Sequence, residues 1–248
     1  WTTENGQRKK DEGVLEKFDV SLEEAQHLVD GRKVAEIAAR KAAEAPFAGW
    51  LDARKQEVRG GFAAWQPLRG TLESSEGSKL TQEADATVQV AGPNPNQDDY
   101  RLIAPVKLAR VTGLRLEVLP HASHVKGAFS RGKSGEFILT DIKVQVRRRG
   151  SSQIRDVLVK SAAADFVPPV KGGYGDIKGV LDDDPRNGWS TKGAPSIAPH
   201  TAVFALAEPL VLATEDELIF ELRQRSTLGD ANIGRFRLSV TDQRGPAV

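Results

Sequence analysis

Leu114-Arg115-Leu116-Glu117-Val118-Leu119-Pro120 and Gly135-Glu136-Phe137-Ile138-Leu139-Thr140 decide the fold, because both recur later in the chain. At an offset of 104 residues, Leu114 is answered by Leu218 and Glu117 by Glu221, as are Leu102 by Leu206, Pro105 by Pro209 and Leu108 by Leu212. The offset then drops to 99, where Gly135 meets Gly234, Phe137 meets Phe236, Leu139 meets Leu238 and Thr140 meets Ser239. Residues 100–141 and 204–241 thus read as two copies of one β unit, the second with a loop shorter by five residues. Internal repeats constrain architecture before any single motif does. The expectation is a mainly β protein of two tandem jelly-roll or β-sandwich units, a plan suited to binding and spacing.

The strands follow from alternation. Leu114, Leu116 and Val118 share one parity with Arg115 and Glu117 on the other, as in a half-buried strand. Ile142, Val144 and Val146 alternate with Asp141, Lys143 and Gln145 in the same way. Further strands are expected over 100–106, from Ile154 through Val159, and over 202–206, 218–222 and 235–240. Leu80 to Val90 alternates with a break near Asp85, and Pro93-Asn94-Pro95-Asn96 is a turn cluster. Many short strands with turn residues and no helices between them point to sandwiches.

Upstream the grammar is helical. Residues 1–20 are polar and charged and read as a linker; 21–60 as a helical segment; 61–150 and 151–248 as the two sandwich units. Ser21 and Glu24 form a capping box for a helix start. Pro46 suits the first turn of a second helix, whose stripe of Phe47, Trp50, Leu51, Arg54 and Val58 is expected to dock on the sandwich or to face a partner. Gly60-Gly61 closes the section.

Composition narrows the function. The 248 residues carry a formal net charge of +1, with no Cys and no Met. Near-neutral charge argues against a nucleic-acid partner. Lack of Cys excludes disulfides, thiolate chemistry, Cys-ligated metal and covalent c-type haem. No apolar run has the length of a membrane span. A chain opening on Trp1 without a signal-peptide pattern reads as a processed or excised piece of a larger protein.

No nucleophile–base pair, acid–base pair or metal cluster with convincing spacing is present, so the chain reads as non-catalytic. His121 and His124 lie in a loop with Lys126, Arg131 and Lys133. Cations beside the imidazoles oppose a metal, and the loop reads either as an anion-seeking site for a sulfated or uronate sugar or as a solvated basic hairpin. Asp182-Asp183-Asp184-Pro185-Arg186-Asn187-Gly188-Trp189 is the densest local signal. Its carboxylates, Asp182 and Asp183 first, offer hard oxygens to calcium, without EF-hand spacing. Trp189 reads either as a stacking platform for a sugar ring, with Asp184 bonding hydroxyls, or as a core plug, with Asp184 capping backbone N–H groups. Lys171-Gly172-Gly173-Tyr174-Gly175-Asp176 reads as a loop presenting Tyr174.

A resemblance adds to this reading. Trp65-Gln66-Pro67-Leu68, Asp99-Tyr100, the two quoted stretches, Leu181 to Asp184, Gly188-Trp189, His200 to Phe204 and Gly234 to Ser239 occur in that order. Over about residues 46–243 they resemble the β-rich region of large planctomycete-type proteins that carry cytochrome-c-like and uncharacterised domains. The Asp…Gly-Trp segment is similar to the discoidin, or galactose-binding-like, jelly roll. The resemblance implies an extracytoplasmic, non-catalytic β module of a multidomain protein; with the repeat, the Asp…Gly-Trp loop and the lack of a catalytic set, the leading expectation is a carbohydrate-binding-like module, with polysaccharide or neighbouring domains of the parent protein as partners. The chain departs from the pattern over Lys126–Ser134 and around Glu83–Ala86. Candidate ligand-binding residues are Trp189, Tyr174, Asp184, Arg131 and Lys133; the rival expectation is a structural or protein-interaction module.

Overall fold

The computed structural model describes residues 5–59, 63–169, 173–194 and 197–243, with side chains from 21 onward. The chain divides into two compact units, Trp1–Ala63 and Ala64–Val248.

The first unit is one helix, Asn5–Arg59 (α1). The expected linker over 1–20 is helical from Asn5, and the two expected helices are a single one. Ser21, Gly31 and Pro46 all lie inside it, where Pro46 leaves the Ala42 carbonyl without its N–H donor. No residue between the two expected helices forces a stop, and because the helix already runs from Asn5, Ser21 is not its start. Surface pairs Lys33–Asp30, Arg40–Glu36, Lys55–Asp52 and Arg54–Glu57 run at i,i+3 or i,i+4. Each adds only a few tenths of a kcal/mol. Phe47 and Trp50 stack at 5.7 Å yet remain 58% and 56% exposed. No helix among the described residues is long and apolar enough to cross a membrane. Gly60-Gly61 lies outside the described residues.

The second unit is an antiparallel β-sandwich. Its strands are β1 (Gln66–Pro67), β2 (Thr71–Ser74), β3 (Lys79–Gln82), β4 (Val88–Ala91), β5 (Asp98–Pro105), β6 (Arg110–Val118) and β7 (Ile138–Leu139). They continue as β8 (Asp141–Arg148), β9 (Ile154–Asp156), β10 (Val159–Ala164), β11 (Trp189–Ser190), β12 (His200–Val211), β13 (Asp216–Gln224) and β14 (Arg235–Thr241). One sheet runs β10-β12-β6-β14-β4-β3, with β1 also on β14. The other runs β2-β5-β13-β8-β9, and β11 pairs with β7.

The mainly β class, the sandwich and the helical lead-in are as expected; the division at 150/151 is not. The middle strand of the first repeat copy, β6, lies between β12 and β14 of the second. The middle strand of the second copy, β13, lies between β5 and β8 of the expected first unit, 61–150. Both copies therefore build the same two sheets, and Ala64–Val248 is one unit. The physical reason is edge pairing. One copy alone supplies too few strands to enclose a core and would expose edge N–H and C=O groups, whereas exchange of the middle strands pairs them.

Alternation sets the core. Tyr100, Leu102 and Ala104 of β5, Leu218, Phe220 and Leu222 of β13, and Ile142, Val144 and Val146 of β8 face inward from one sheet. Leu114, Leu116, Val118, Phe204, Phe236, Leu238 and Val240 meet them from the other. Each of the larger aliphatic and phenylalanine side chains contributes on the order of 1.5–3 kcal/mol by leaving water. The expected break near Asp85 is the β3–β4 turn, where Asp85 accepts from the Thr87 N–H and hydroxyl, both at 2.9 Å, and Ala86 takes φ 69°.

Candidate functional site

The outer face of the five-stranded sheet carries charge where the inner face carries hydrocarbon. Cross-strand register places Glu73, Arg101 and Glu221 in one row and Asp99, Arg223 and Asp141 in the next. Arg101 bonds Glu221 at 2.8 Å and reaches Glu73 at 3.5 Å. Arg223 bonds Glu221 at 2.6 Å, Asp183 at 2.7 Å and Asp141 at 3.3 Å. Burial raises the Glu221 carboxyl, but its two arginines outweigh that and hold it below the usual range. Asp141 goes the other way: burial pushes it up to about 6, with Arg223 opposing and Asp183 adding to the rise.

Beyond the end of β13 this face opens into a cleft. Three hollows of about 640, 330 and 320 Å³ share Arg225 in their walls. The largest is lined by Glu76, Asn96, Gln97, Asp99 and Thr227 among others. Arg225 grips Asp99 through Nε and Nη2 at 3.1 and 2.5 Å. The Gln97 side chain donates to the Arg225 and Ser226 carbonyls at 3.0 and 3.2 Å, tying the turn after β4 to the turn after β13.

A buried polar knot fixes the floor. The Asp98 carboxylate accepts from the Ser74 and Ser75 hydroxyls and the Glu76 N–H at 2.8, 3.2 and 3.1 Å. Buried Gln224 donates to the Asp98 carbonyl at 3.1 Å and accepts the Ile233 N–H. Buried groups satisfied in this way hold a loop rigidly. Leu228, 71% exposed, forms an apolar lip.

Of the residues singled out from sequence, Asp183 lines this cleft, and Tyr174 bonds two residues of its wall, Pro185 and Thr227. The Tyr174 hydroxyl donates to the Pro185 carbonyl at 2.9 Å and accepts the Thr227 N–H at 3.2 Å, which clamps the 182–188 loop beside the cleft. Asp183, at φ 57°, stands in the wall between Arg223 and Arg225.

The others are placed differently. Trp189 is 0% exposed, edge-on to Phe137 at 5.0 Å, and its Nε1 donates to the Phe166 carbonyl at 2.9 Å. It plugs the core end and offers no stacking surface. Gly188 before it is required: a Cβ there would lie 2.2 Å from the Leu139 carbonyl oxygen. Asp184 accepts from the Arg186 N–H and guanidinium, which hold its carboxyl at about 2. Asp182 caps the Asp184 N–H and the Asn187 side chain at 3.1 and 3.0 Å. The three carboxylates thus turn to separate partners and do not converge as a calcium site. Among the described residues no group of three or more metal-ligating side chains gathers.

The basic loop also resolves differently. Arg131 donates to the Gly92 and Pro93 carbonyls, both at 2.7 Å, so it is a loop staple. Lys133 is exposed, away from the cleft lining, with its N–H on Asp230 at 3.4 Å. His124 is buried, its Nδ1 2.9 Å from the Ala128 carbonyl, and burial lowers its pKa. In the loop before Tyr174, Lys171-Gly172 lies outside the described residues.

Arg225, Asp99, Gln97, Asn96 and Glu76 were not anticipated. Their signal was Arg223 and Arg225 alternating with Glu221 along one strand parity, opposite Asp99 in the partner strand, which needs the register to be read.

No family model matches the chain. The chain is similar to Listeriolysin O from Listeria monocytogenes, in strains of serotypes 4a, 4b and 1/2a, at 27% identity over 157 residues. That match covers 63% of this chain and 28% of each relative, so the chain corresponds to about a quarter of the length of the curated relatives it matches.

Proposed function

We propose that this chain is a non-catalytic carbohydrate-binding module of a larger extracytoplasmic protein, and that its site is the Arg225 cleft. One observation carries the reading: a preorganised cleft of about 640 Å³ whose walls are hydrogen-bonding side chains around a bidentate Arg225–Asp99 pair. Saccharides are recognised by planar donors and acceptors that bracket vicinal hydroxyls, with an apolar edge covering the ring. Asn96, Gln97, Asp99, Thr227 and Arg225 supply the polar set, and Leu228 the apolar edge. The buried Asp98 and Gln224 hold those groups in place before a ligand arrives, which lowers the ordering cost of binding. The resemblance to planctomycete-type galactose-binding-like regions supports the same reading and its extracytoplasmic setting.

The test is glycan-array binding of the purified chain, with and without calcium, beside Arg225→Ala and Asn96→Ala. Selective retention that both variants weaken about tenfold or more, with unchanged circular dichroism, supports the site. Silence on every glycan class overturns it.

A second reading, a protein-interaction or scaffold module holding neighbouring domains or subunits, is favoured by the exposed Phe47–Trp50 stack. Its test is whether Phe47→Asp with Trp50→Asp abolishes association with the flanking parts of the parent protein. Association that is unaffected counts against it.

A further inference from the structure

Resting on the carbohydrate reading of the Arg225 cleft, we infer that the cleft selects a saccharide bearing a protonated amine, with Glu76 as its counter-ion, and rejects uronate and sulfated sugars. The charges in the largest hollow are unbalanced: Glu76, Asp98 and Asp99 face a single guanidinium, Arg225. That guanidinium is already committed. It lies 2.5 Å from Asp99 and 4.0 Å from Asp183, both carboxylates. Its charge is therefore spent inside the wall, and an incoming anion meets no unpaired cation there. The Asp98 oxygens are already filled by hydroxyl and amide donors.

Glu76 differs from the other two. Its N–H is anchored to Asp98 at 3.1 Å, while its exposed carboxylate has no ion-pair or hydrogen-bond partner among the described residues. A rigid backbone thus presents a free carboxylate at the cleft wall. An ammonium group on a sugar ring forms a charge-assisted hydrogen bond with such an acceptor, stronger than a hydroxyl does. A sulfate or carboxylate would instead be repelled by the surplus negative charge. The basic loop around Arg131 and Lys133 does not reverse this, because neither residue lines the cleft.

The experiment compares matched oligosaccharides of glucosamine, N-acetylglucosamine and glucuronate by isothermal titration at low and moderate salt, for the wild-type chain and Glu76→Gln. The expected result is roughly tenfold preference for the free amine, weakened by salt. In Glu76→Gln, with unchanged circular dichroism, the preference for the free amine over the acetylated form should disappear. Equal binding of amine and acetylated forms, or preference for glucuronate, overturns the inference and leaves the carbohydrate site standing. No binding of any of the three, together with silence on the array, overturns both.

Discussion

Leu114 and Leu218 occupy the same position in the two repeat copies, both are fully buried, and they lie in opposite sheets. Leu114 pairs across to Phe204 and Val240, and Leu218 to Ala104 and Val146. Each leucine is flanked only by strands of the other expected unit, 61–150 or 151–248, so neither unit holds its own centre. Residues 64–150 and 151–248 made separately are expected to be unfolded by circular dichroism and to regain sheet structure only when mixed. Leu114→Ala and Leu218→Ala should each cost about 2–5 kcal/mol in denaturant unfolding, within one cooperative transition. Two separate transitions would show that the copies fold independently.

Gly234 is held against His124. A Cβ at Gly234 would sit 2.4 Å from Nε2 of the buried imidazole, which is itself fixed by the Ala128 carbonyl at 2.9 Å. Gly234→Ala is therefore expected to lower stability by about 1–3 kcal/mol. His124→Ala removes the obstructing ring, so the double variant should be more stable than the sum of the singles predicts, a coupling that a double-mutant cycle reads directly. Strict additivity would show that the loop gives way elsewhere.

Asp141 ties stability to pH. Burial raises its folded-state pKa to about 6 from an ordinary 3.8, with Arg223 at 3.3 Å and Arg225 opposing the shift and Asp183 reinforcing it. Between about 4 and 6 the folded chain keeps a proton that the unfolded chain has released. Asp141's contribution therefore stabilises most below that window and is lost as pH rises through about 6. Asp141→Asn removes the ionisation, while Arg223 keeps Glu221 and Asp183. The variant is expected to gain up to about 2–3 kcal/mol relative to wild type at pH 7.5 and little at pH 4, measured by urea unfolding at both. A pH-independent difference would assign the effect to packing.

What the sequence made legible was periodicity. Leu114–Val118, Ile142–Val146 and Leu218–Leu222 are strands because one parity is apolar and the other charged, and that pattern is local. Which strand lies beside which is not local. The offset of 104 aligns Leu102 with Leu206, but Phe220 faces Leu102 while its counterpart Leu116 faces Ala202. The repeat therefore identified equivalent strands and missed both the register and the exchange between sheets. The cleft was hidden for the same reason. Arg225 and Asp99 are 126 residues apart and meet only through the β5–β13 pairing. The Asp-rich loop looked like a site because its carboxylates are adjacent in sequence, yet each caps a nearby N–H or pairs with an arginine.

Trp189 makes that distinction testable. An aromatic residue after Gly188 in a polar loop reads as a sugar platform, but its indole is enclosed by Phe137 at 5.0 Å and hydrogen-bonded to the Phe166 carbonyl at 2.9 Å. Trp189→Ala should destabilise the chain by about 3–5 kcal/mol through the cavity it leaves. Trp189→Phe keeps most of the volume and forfeits the N–H bond, so a smaller loss of about 1–3 kcal/mol is expected, part of it the unpaired Phe166 carbonyl. Because the ring is fully buried and lines no part of the proposed cleft, any glycan affinity of the wild type should survive in Trp189→Phe at temperatures where both are folded, while Arg225→Ala loses it with its fold intact. Comparing melting temperature and affinity across the two variants separates a core role from a contact role. Reduced affinity in folded Trp189→Phe would return the indole to the binding surface.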